Sequence, residues 1–213
     1  MSVKKMVTIA ILCGMAIVSN IIFNFPLVAA VPFMKYDPKD IIIVIAGFIY
    51  GPIPSILMSF VTSVLEILYH GGNYIDIIMN VISTCAFVCP AAIIYKKMKS
   101  KSGAVIGLAS GVIISTLIML VWNYIVTPGY YDLPREAVVE LMIPGILPFN
   151  LIKNVINAAI AFILYKPIVT VFRTTNLLEK SETKSKINIG FIILALFIVL
   201  TMILILLVIN GYL

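Results

Sequence analysis

The stretch Ile143-Pro-Gly-Ile-Leu-Pro-Phe-Asn-Leu-Ile-Lys-Asn-Val-Ile-Asn157 opens a long apolar segment that nevertheless carries four polar side chains. Asn150, Lys153, Asn154 and Asn157 follow the spacing i, i+3, i+4 and i+7, which places them on one face of an α-helix. Charged side chains are costly inside a membrane, and they usually face the interior of a helix bundle or a cavity. The stripe therefore predicts a polar site inside an apolar bundle.

The composition of the whole chain indicates a membrane protein. Of its 213 residues, 62% are hydrophobic and only 11% are charged, whereas a soluble domain has about 25% charged residues. The net charge of +6 does not point to nucleic acid, because the basic residues cluster between apolar segments, as the positive-inside rule expects. We therefore predict an all-α polytopic membrane protein without a sizeable soluble domain.

The number of helices follows from the positions of the basic residues. Apolar runs long enough to span a bilayer cover about 6–28, 41–69, 74–95, 103–126, 146–170 and 187–209. Lys4, Lys5 and the lysines of 96–101 should all be cytoplasmic, so an even number of crossings separates them. This holds only if run 41–69, which Gly51-Pro-Ile-Pro54 interrupts, forms two helices.

We therefore predict that the chain has three parts. Residues 1–172 form a six-helix core with a cytoplasmic N-terminus, residues 173–186 form a charged cytoplasmic linker, and residues 187–213 form an additional transmembrane helix. That last segment carries no polar stripe, so membrane anchoring is the only role we assign to it.

Polar residues near the outer ends of the predicted helices are candidates for a binding site. The loop after the first helix contributes Tyr36, Asp37 and Asp40, although Asp40 is also suited to cap the next helix. Asn80 and Asn123 lie in apolar helices, where a buried amide must be hydrogen-bonded.

Some of these polar and aromatic side chains also have purely structural interpretations. Trp122 and Tyr130 have the positions of an interfacial aromatic belt. Glu66 is a possible salt-bridge partner for Lys153, which would give both a structural role.

No catalytic motif and no metal-ligand cluster is recognisable. The chain has one histidine, and its three cysteines all lie in apolar runs, where they are expected to be small buried hydrophobes. It also has no P-loop, so an ATP-driven activity would need an ATPase from another chain. Ala10-x-x-x-Gly14 is a small-xxx-small pattern that allows close helix approach.

At these residues the chain resembles the S components, the membrane-embedded substrate-binding subunits, of energy-coupling-factor (ECF) vitamin transporters, specifically the riboflavin-specific ones. The most specific stretch is Ile146-Leu-Pro-Phe-Asn-Leu-Ile-Lys153. Tyr36–Asp40, Gly47–Pro52 and Trp122–Pro128 add to it. The resemblance extends over about residues 5–172, and the family has the same number of helices, six. Pro38 and Lys39 depart from the family pattern.

The resemblance implies a flavin site near the outer face, under the loop after the first helix. The residues it assigns to the ligand are Asn80, Asn123, Thr127, Asn150, Lys153 and the loop positions Tyr36, Asp37 and Asp40. It further implies that Ala10 and Gly14 dock on a membrane coupling subunit, and that two cytoplasmic ATPases drive import.

Three alternatives remain open from the sequence. The first is an S component for another vitamin or for FMN, whose phosphate Lys35 or Lys39 would bind. The second is a membrane enzyme acting on a lipid-like substrate. The third is a structural membrane partner, in which the Asn/Lys stripe is only a helix-packing network.

Overall fold

The structure is a computed structural model that describes residues 2–178 and 189–212. In these ranges the chain is helical, apart from its loops and one isolated bridge between Pro26 and Lys35. Its elements are α1 (Val3–Ile22), α2 (Lys39–Tyr50), α3 (Pro52–His70), α4 (Tyr74–Met98), α5 (Lys101–Tyr131), α6 (Arg135–Leu141), a π-helix (Met142–Ile146), α7 (Leu147–Thr174) and α8 (Ile189–Ile209).

The predicted division of run 41–69 into two helices is confirmed. Helix α2 ends at Tyr50 and α3 begins at Pro52, with Gly51 between them at a φ of +88°. Glycine adopts this conformation without a steric penalty. Pro52 suits the first turn of α3, since the N–H that proline lacks has no partner in the helix there.

Helix α2 is short and lies in the middle of the bundle. Its twelve residues rise about 18 Å, less than the roughly 30 Å hydrocarbon core of a bilayer. Ten of the twelve are buried, and the helix packs against α1, α3, α4 and α7. Lys39 and Asp40, in its first turn, are therefore enclosed by protein.

The prediction of an all-α polytopic membrane protein is confirmed. Within the described parts of the chain, six helical segments are long and apolar enough to cross a membrane, namely Val3–Ile22, Pro52–His70, Tyr74–Met98, Lys101–Tyr131, Arg135–Thr174 and Ile192–Ile209. Helices α1–α5 and α7 form the six-helix core, and α8 packs against α7.

The helical segment that contains α7 is longer than the predicted span 146–170, and it begins with two additional elements. Helix α6 leads into the π-helix, which passes directly into α7, and α7 runs to Thr174. Pro144 and Pro148 lie in this region and cannot donate main-chain hydrogen bonds, which disrupts regular α-helical bonding. Gly145 allows the loop after α1 to approach, because a Cβ there would lie 2.5 Å from Val31 Cγ1.

The additional C-terminal helix predicted for 187–213 corresponds to α8. Of the predicted linker 173–186, residues 179–186 lie outside the described residues. The six-helix core boundary at 172 therefore stays a prediction.

The two ends of the bundle differ in charge. One end holds the start of α1, the junction of α4 with α5 and the end of α7, and it carries Lys4, Lys5, Lys96, Lys97, Lys99, Lys101, Lys166 and Arg173. The other end holds the loop of residues 23–38, the α3–α4 turn and the α5–α6 turn. We call this second end the cavity end.

Close packing of α4 on α5 is expected to depend on Gly111. A Cβ at this position would lie 2.3 Å from the Phe87 carbonyl oxygen, so Gly111→Ala must push the two helices apart. Overpacking of this kind costs about 1–3 kcal/mol. We expect a lower midpoint of thermal unfolding in detergent. Gly14→Ala is the matched control, because a Cβ there meets nothing within 4 Å; equal effects of the two substitutions would contradict this packing.

Candidate functional site

A cavity of about 340 Å³ opens at the cavity end. It lies where α3 and α5 end and α4 and α7 begin, with the loop of residues 23–38 beside it. Predicted site residues that line it are Asp37, Asn80, Asn123, Thr127, Asn150 and Lys153. Its apolar lining includes Phe33, Met34, Ile75, Met79, Met119, Trp122, Val126 and Phe149.

Two cavity amides are fixed by their own helices. Asn123 Nδ2 donates to the Met119 carbonyl oxygen at 2.7 Å, and Asn150 Nδ2 donates to the Ile146 carbonyl oxygen at 2.8 Å. Thr127 Oγ1 donates to Asn123 Oδ1 at 2.9 Å. An amide nitrogen carries two N–H groups, so each asparagine keeps a second N–H donor, and both residues line the cavity.

A buried ion-pair cluster lies beside these amides. Lys39 Nζ is 2.5 Å from Asp37 Oδ2 and also contacts Glu66 Oε2, while Lys39 itself is only 1% exposed. Asn80 Nδ2 donates to the same Glu66 oxygen at 3.1 Å. The cluster joins the loop, α2, α3 and α4, and two of its carboxylates, Asp37 and Glu66, line the cavity.

The alternative salt bridge between Glu66 and Lys153 is wrong. Lys153 Nζ instead lies 3.6 Å from Asp40 Oδ2, and Thr84 Oγ1 donates to Asp40 Oδ1 at 2.6 Å. The reason is that buried α2 brings both Lys39 and Asp40 between α3 and α7. Asp40 is not the helix cap either, since α2 already begins at Lys39.

Tyr36 and Asp40 lie behind the cavity lining instead of in it. Tyr36 is 7% exposed and Asp40 is fully buried. Tyr36 Oη donates to Asn157 Oδ1 at 2.8 Å, and Asn157 Nδ2 donates to the Asp37 carbonyl oxygen at 3.2 Å. These contacts fix the end of the loop on α7.

The electrostatics of the loop follow from this burial. Burial raises the pKa of the Tyr36 hydroxyl, and the nearby carboxylates of Asp37 and Asp40 raise it further. The pKa of Asp37 lies below its ordinary value, because Lys39 and Lys153 lower it by more than burial raises it. The loop therefore carries a neutral Tyr36 and an ionised Asp37 at neutral pH.

The polar stripe of α7 divides into two halves. Asn150 and Lys153 line the cavity, whereas Asn157 holds the loop. Asn154 Nδ2 makes a long hydrogen bond of 3.4 Å to Thr116 Oγ1 on α5. Asn154 and Asn157 thus have the helix-packing role of the structural alternative, whereas Asn150 and Lys153 line the cavity.

Aromatic side chains form the rim of the cavity, and Trp122 and Tyr130 both line it; their assignment to an interfacial aromatic belt stays a prediction. Tyr130 Oη donates to the Asp76 carboxylate at 2.8 Å, and the Phe33 and Tyr131 rings lie 4.8 Å apart. The Asp76–Tyr130 pair was not predicted, although Asn73 and Asp76 form a recognisable capping box.

The residues predicted to dock a partner lie on the outer face of α1. Ala10 and Gly14 are both exposed, and a Cβ at Gly14 would meet no other atom within 4 Å. Neither residue lines the cavity.

Comparison with known proteins gives a consistent result. Residues 4–165 match the family described as "ECF transporter, substrate-specific component". The chain is 31% identical to "Riboflavin transporter FmnP" of Bacillus subtilis (strain 168), over 78% of this chain and 94% of the relative. It is 27% identical to "Riboflavin transporter RibU" of Staphylococcus aureus (strain TCH60), over 76% and 89%.

A solved structure is also similar. It is described as "Structure and mechanism of the S component of a bacterial ECF transporter" and is 27% identical in sequence. The TM-score is 0.70, and the match covers 80% of this chain and 98% of the other. The predicted six-helix S-component architecture is therefore confirmed.

The ion-pair cluster makes a prediction about stability. Lys39→Met leaves Asp37 and Glu66 without their cation, and removing one partner of a buried ion pair costs about 3–5 kcal/mol. The midpoint temperature of thermal unfolding in detergent should therefore be much lower than that of the wild-type chain. Adding Glu66→Gln removes one of the unpaired charges while keeping an acceptor for Asn80, so the double variant should unfold at a higher temperature than Lys39→Met. A double variant less stable than the single one would contradict the cluster.

Proposed function

The chain belongs to the family of ECF transporter substrate-specific components, which are transport subunits and not enzymes, and we propose that it binds riboflavin in the cavity between α3, α4, α5 and α7. The observation that carries this proposal is a cavity that combines apolar and aromatic side chains with polar groups, among them the helix-bonded amides of Asn123 and Asn150. The names of the similar proteins from two bacteria support the same ligand.

The chemistry of riboflavin suits this lining. Its flat ring is edged by carbonyl and N–H groups, and its tail carries hydroxyl groups. A small-molecule site of this kind is mainly apolar, with a few placed polar groups that fix orientation. Asparagine both donates and accepts hydrogen bonds, which matches the mixed edge of the ring, and Trp122 and Phe149 offer apolar aromatic faces.

The charges of the cavity favour the neutral vitamin over FMN. A phosphate needs an available cation, but Lys39 is already enclosed by Asp37 and Glu66, and Lys153 lies beside Asp40. Asp37, Glu66 and Asp76 all line the cavity and would repel a phosphate. Lys35, which is exposed on the loop and also lines the cavity, is the remaining candidate partner.

The arrangement of charges supports an orientation for uptake. Basic residues concentrate at the end opposite the cavity, and the positive-inside rule places such an end in the cytoplasm. In this orientation the N-terminus is cytoplasmic and the cavity opens to the outside. Riboflavin enters from outside, the loop of residues 23–38 closes over it, and the loaded subunit releases it inward.

Release inward requires partner subunits. The sequence carries no P-loop, so in our proposal two cytoplasmic ATPases supply the energy and a membrane coupling subunit transmits it. The exposed Ala10 and Gly14 on α1 offer a flat face on which a helix of the coupling subunit can pack closely.

The ligand proposal is tested by comparing two asparagines of α7. Asn150→Ala removes an oriented amide from the cavity, so the Kd for riboflavin should rise about tenfold. Asn154→Ala is the matched control, because Asn154 is one turn further along and does not line the cavity; its Kd should change less than about twofold. Quenching of riboflavin fluorescence by the purified chain measures both.

Equal Kd values for the wild-type chain and Asn150→Ala would contradict this site while keeping the ligand. Absence of saturable riboflavin binding by folded, flavin-free wild-type protein would contradict the proposed ligand itself.

The docking proposal makes a separate prediction. Ala10→Trp places a bulky ring on the exposed face of α1 and should abolish riboflavin uptake by cells, because it separates the two helices at the interface. Riboflavin binding by the purified variant should stay unchanged. Ile113→Trp, on the lipid-exposed face of α5 where Ile113 is 60% exposed, should leave both uptake and binding intact. Normal uptake by Ala10→Trp would exclude this face as the docking surface.

A further inference from the structure

The C-terminal helix α8 makes a specific contact with the loop of residues 23–38. Asn210, directly after the end of α8, accepts a hydrogen bond from the Ala29 main-chain N–H at 2.7 Å. Its side-chain Nδ2 also donates to the Leu27 carbonyl oxygen at 3.0 Å. One amide side chain thus binds two main-chain groups of the loop, which lies more than 180 residues earlier in the chain.

The backbone around Asn210 holds its side chain in place. The Asn210 N–H still donates to Leu206 O at 2.9 Å, and Tyr212 N–H donates to Leu207 O at 2.8 Å. Gly211 has a φ of +74°, the left-handed conformation that commonly ends a helix. The amide is therefore presented from a well-formed helix end.

Apolar packing supports the same contact. Leu27, Val28 and Val31 of the loop are buried in a cluster with the start of α7, and Met202 and Leu206 of α8 pack against that cluster. Helix α8 thereby packs on the cluster to which the first part of the loop belongs, and none of its described residues lines the cavity.

The second part of the same loop forms part of the cavity. Phe33, Met34, Lys35 and Asp37 all line it. Few main-chain hydrogen bonds hold the loop internally; they include Tyr36 N–H to Phe25 O at 2.8 Å and Met34 N–H to Val31 O at 2.9 Å. The end of the loop is fixed on α7 through Tyr36 and Asp37, whereas its first part is held by apolar packing and by the contact with α8.

We propose that α8 restrains the loop over the cavity and that Asn210 is the positioning residue of this restraint. Opening of the loop then requires breaking both Asn210 hydrogen bonds, which slows the release of a bound molecule. The part of this inference that concerns release rests on the proposed riboflavin site, whereas the restraint itself does not.

The restraint is tested by hydrogen–deuterium exchange on the ligand-free full chain in detergent. Asn210→Ala removes two hydrogen bonds, so exchange in peptides that contain Ala29 should be about tenfold faster, with exchange in α4 and α5 unchanged. Thr201→Ala is the matched control, since Thr201 Oγ1 donates only within α8, to Phe197 O. Asn210→Asp keeps the acceptor for Ala29 and should show a smaller increase at Ala29.

Release is measured on the same variants by stopped-flow dissociation of riboflavin. Faster loop exchange together with faster riboflavin release in Asn210→Ala supports the proposal. Unchanged loop exchange overturns it, and faster exchange with an unchanged release rate overturns the link to release. If the wild-type chain binds no riboflavin, the proposed function is contradicted instead. The hydrogen–deuterium exchange of the loop then still shows whether α8 restrains it.

Discussion

The fold of the cavity end depends on buried charge that must stay paired. Lys39 lies between Asp37 and Glu66, and Lys153 lies beside Asp40. In an apolar bundle an unpaired charge is very costly, so the loop, α2, α3 and α7 are held in the one arrangement that pairs these groups. The same requirement places Asp37, Glu66 and Lys153 in the cavity lining, each with an ion-pair partner of opposite charge.

Helix α2 makes this arrangement possible. A short helix on the lipid-facing surface would expose polar ends to the bilayer core, where main-chain groups need partners. Enclosed by four other helices, α2 instead delivers Lys39 and Asp40 to the middle of the protein. The loop that leads into α2 supplies part of the cavity lining, and its first part packs with α8.

The sequence predicted the architecture well because its signals were local. Gly51 and Pro54 mark the break between α2 and α3, and the stripe on α7 identified Asn150 and Lys153, which line the cavity. The partners of the salt bridges and of the Asn210 hydrogen bonds could not be predicted from local sequence. Whether Glu66 meets Lys153 or Lys39 depends on how α2 is rotated inside the bundle, and the contact of Asn210 with Ala29 joins distant parts of the chain. Neither leaves a periodic pattern to recognise.

The central claim is that riboflavin occupies the cavity at the end opposite the basic residues. Its most direct test is an experimental structure of the full chain purified with riboflavin. We expect flavin density in the cavity, with the ring edge within hydrogen-bond distance of Asn150 or Asn123 and the loop of residues 23–38 over it. Flavin density elsewhere in the bundle, or an unoccupied cavity in protein that carries stoichiometric riboflavin, would contradict it.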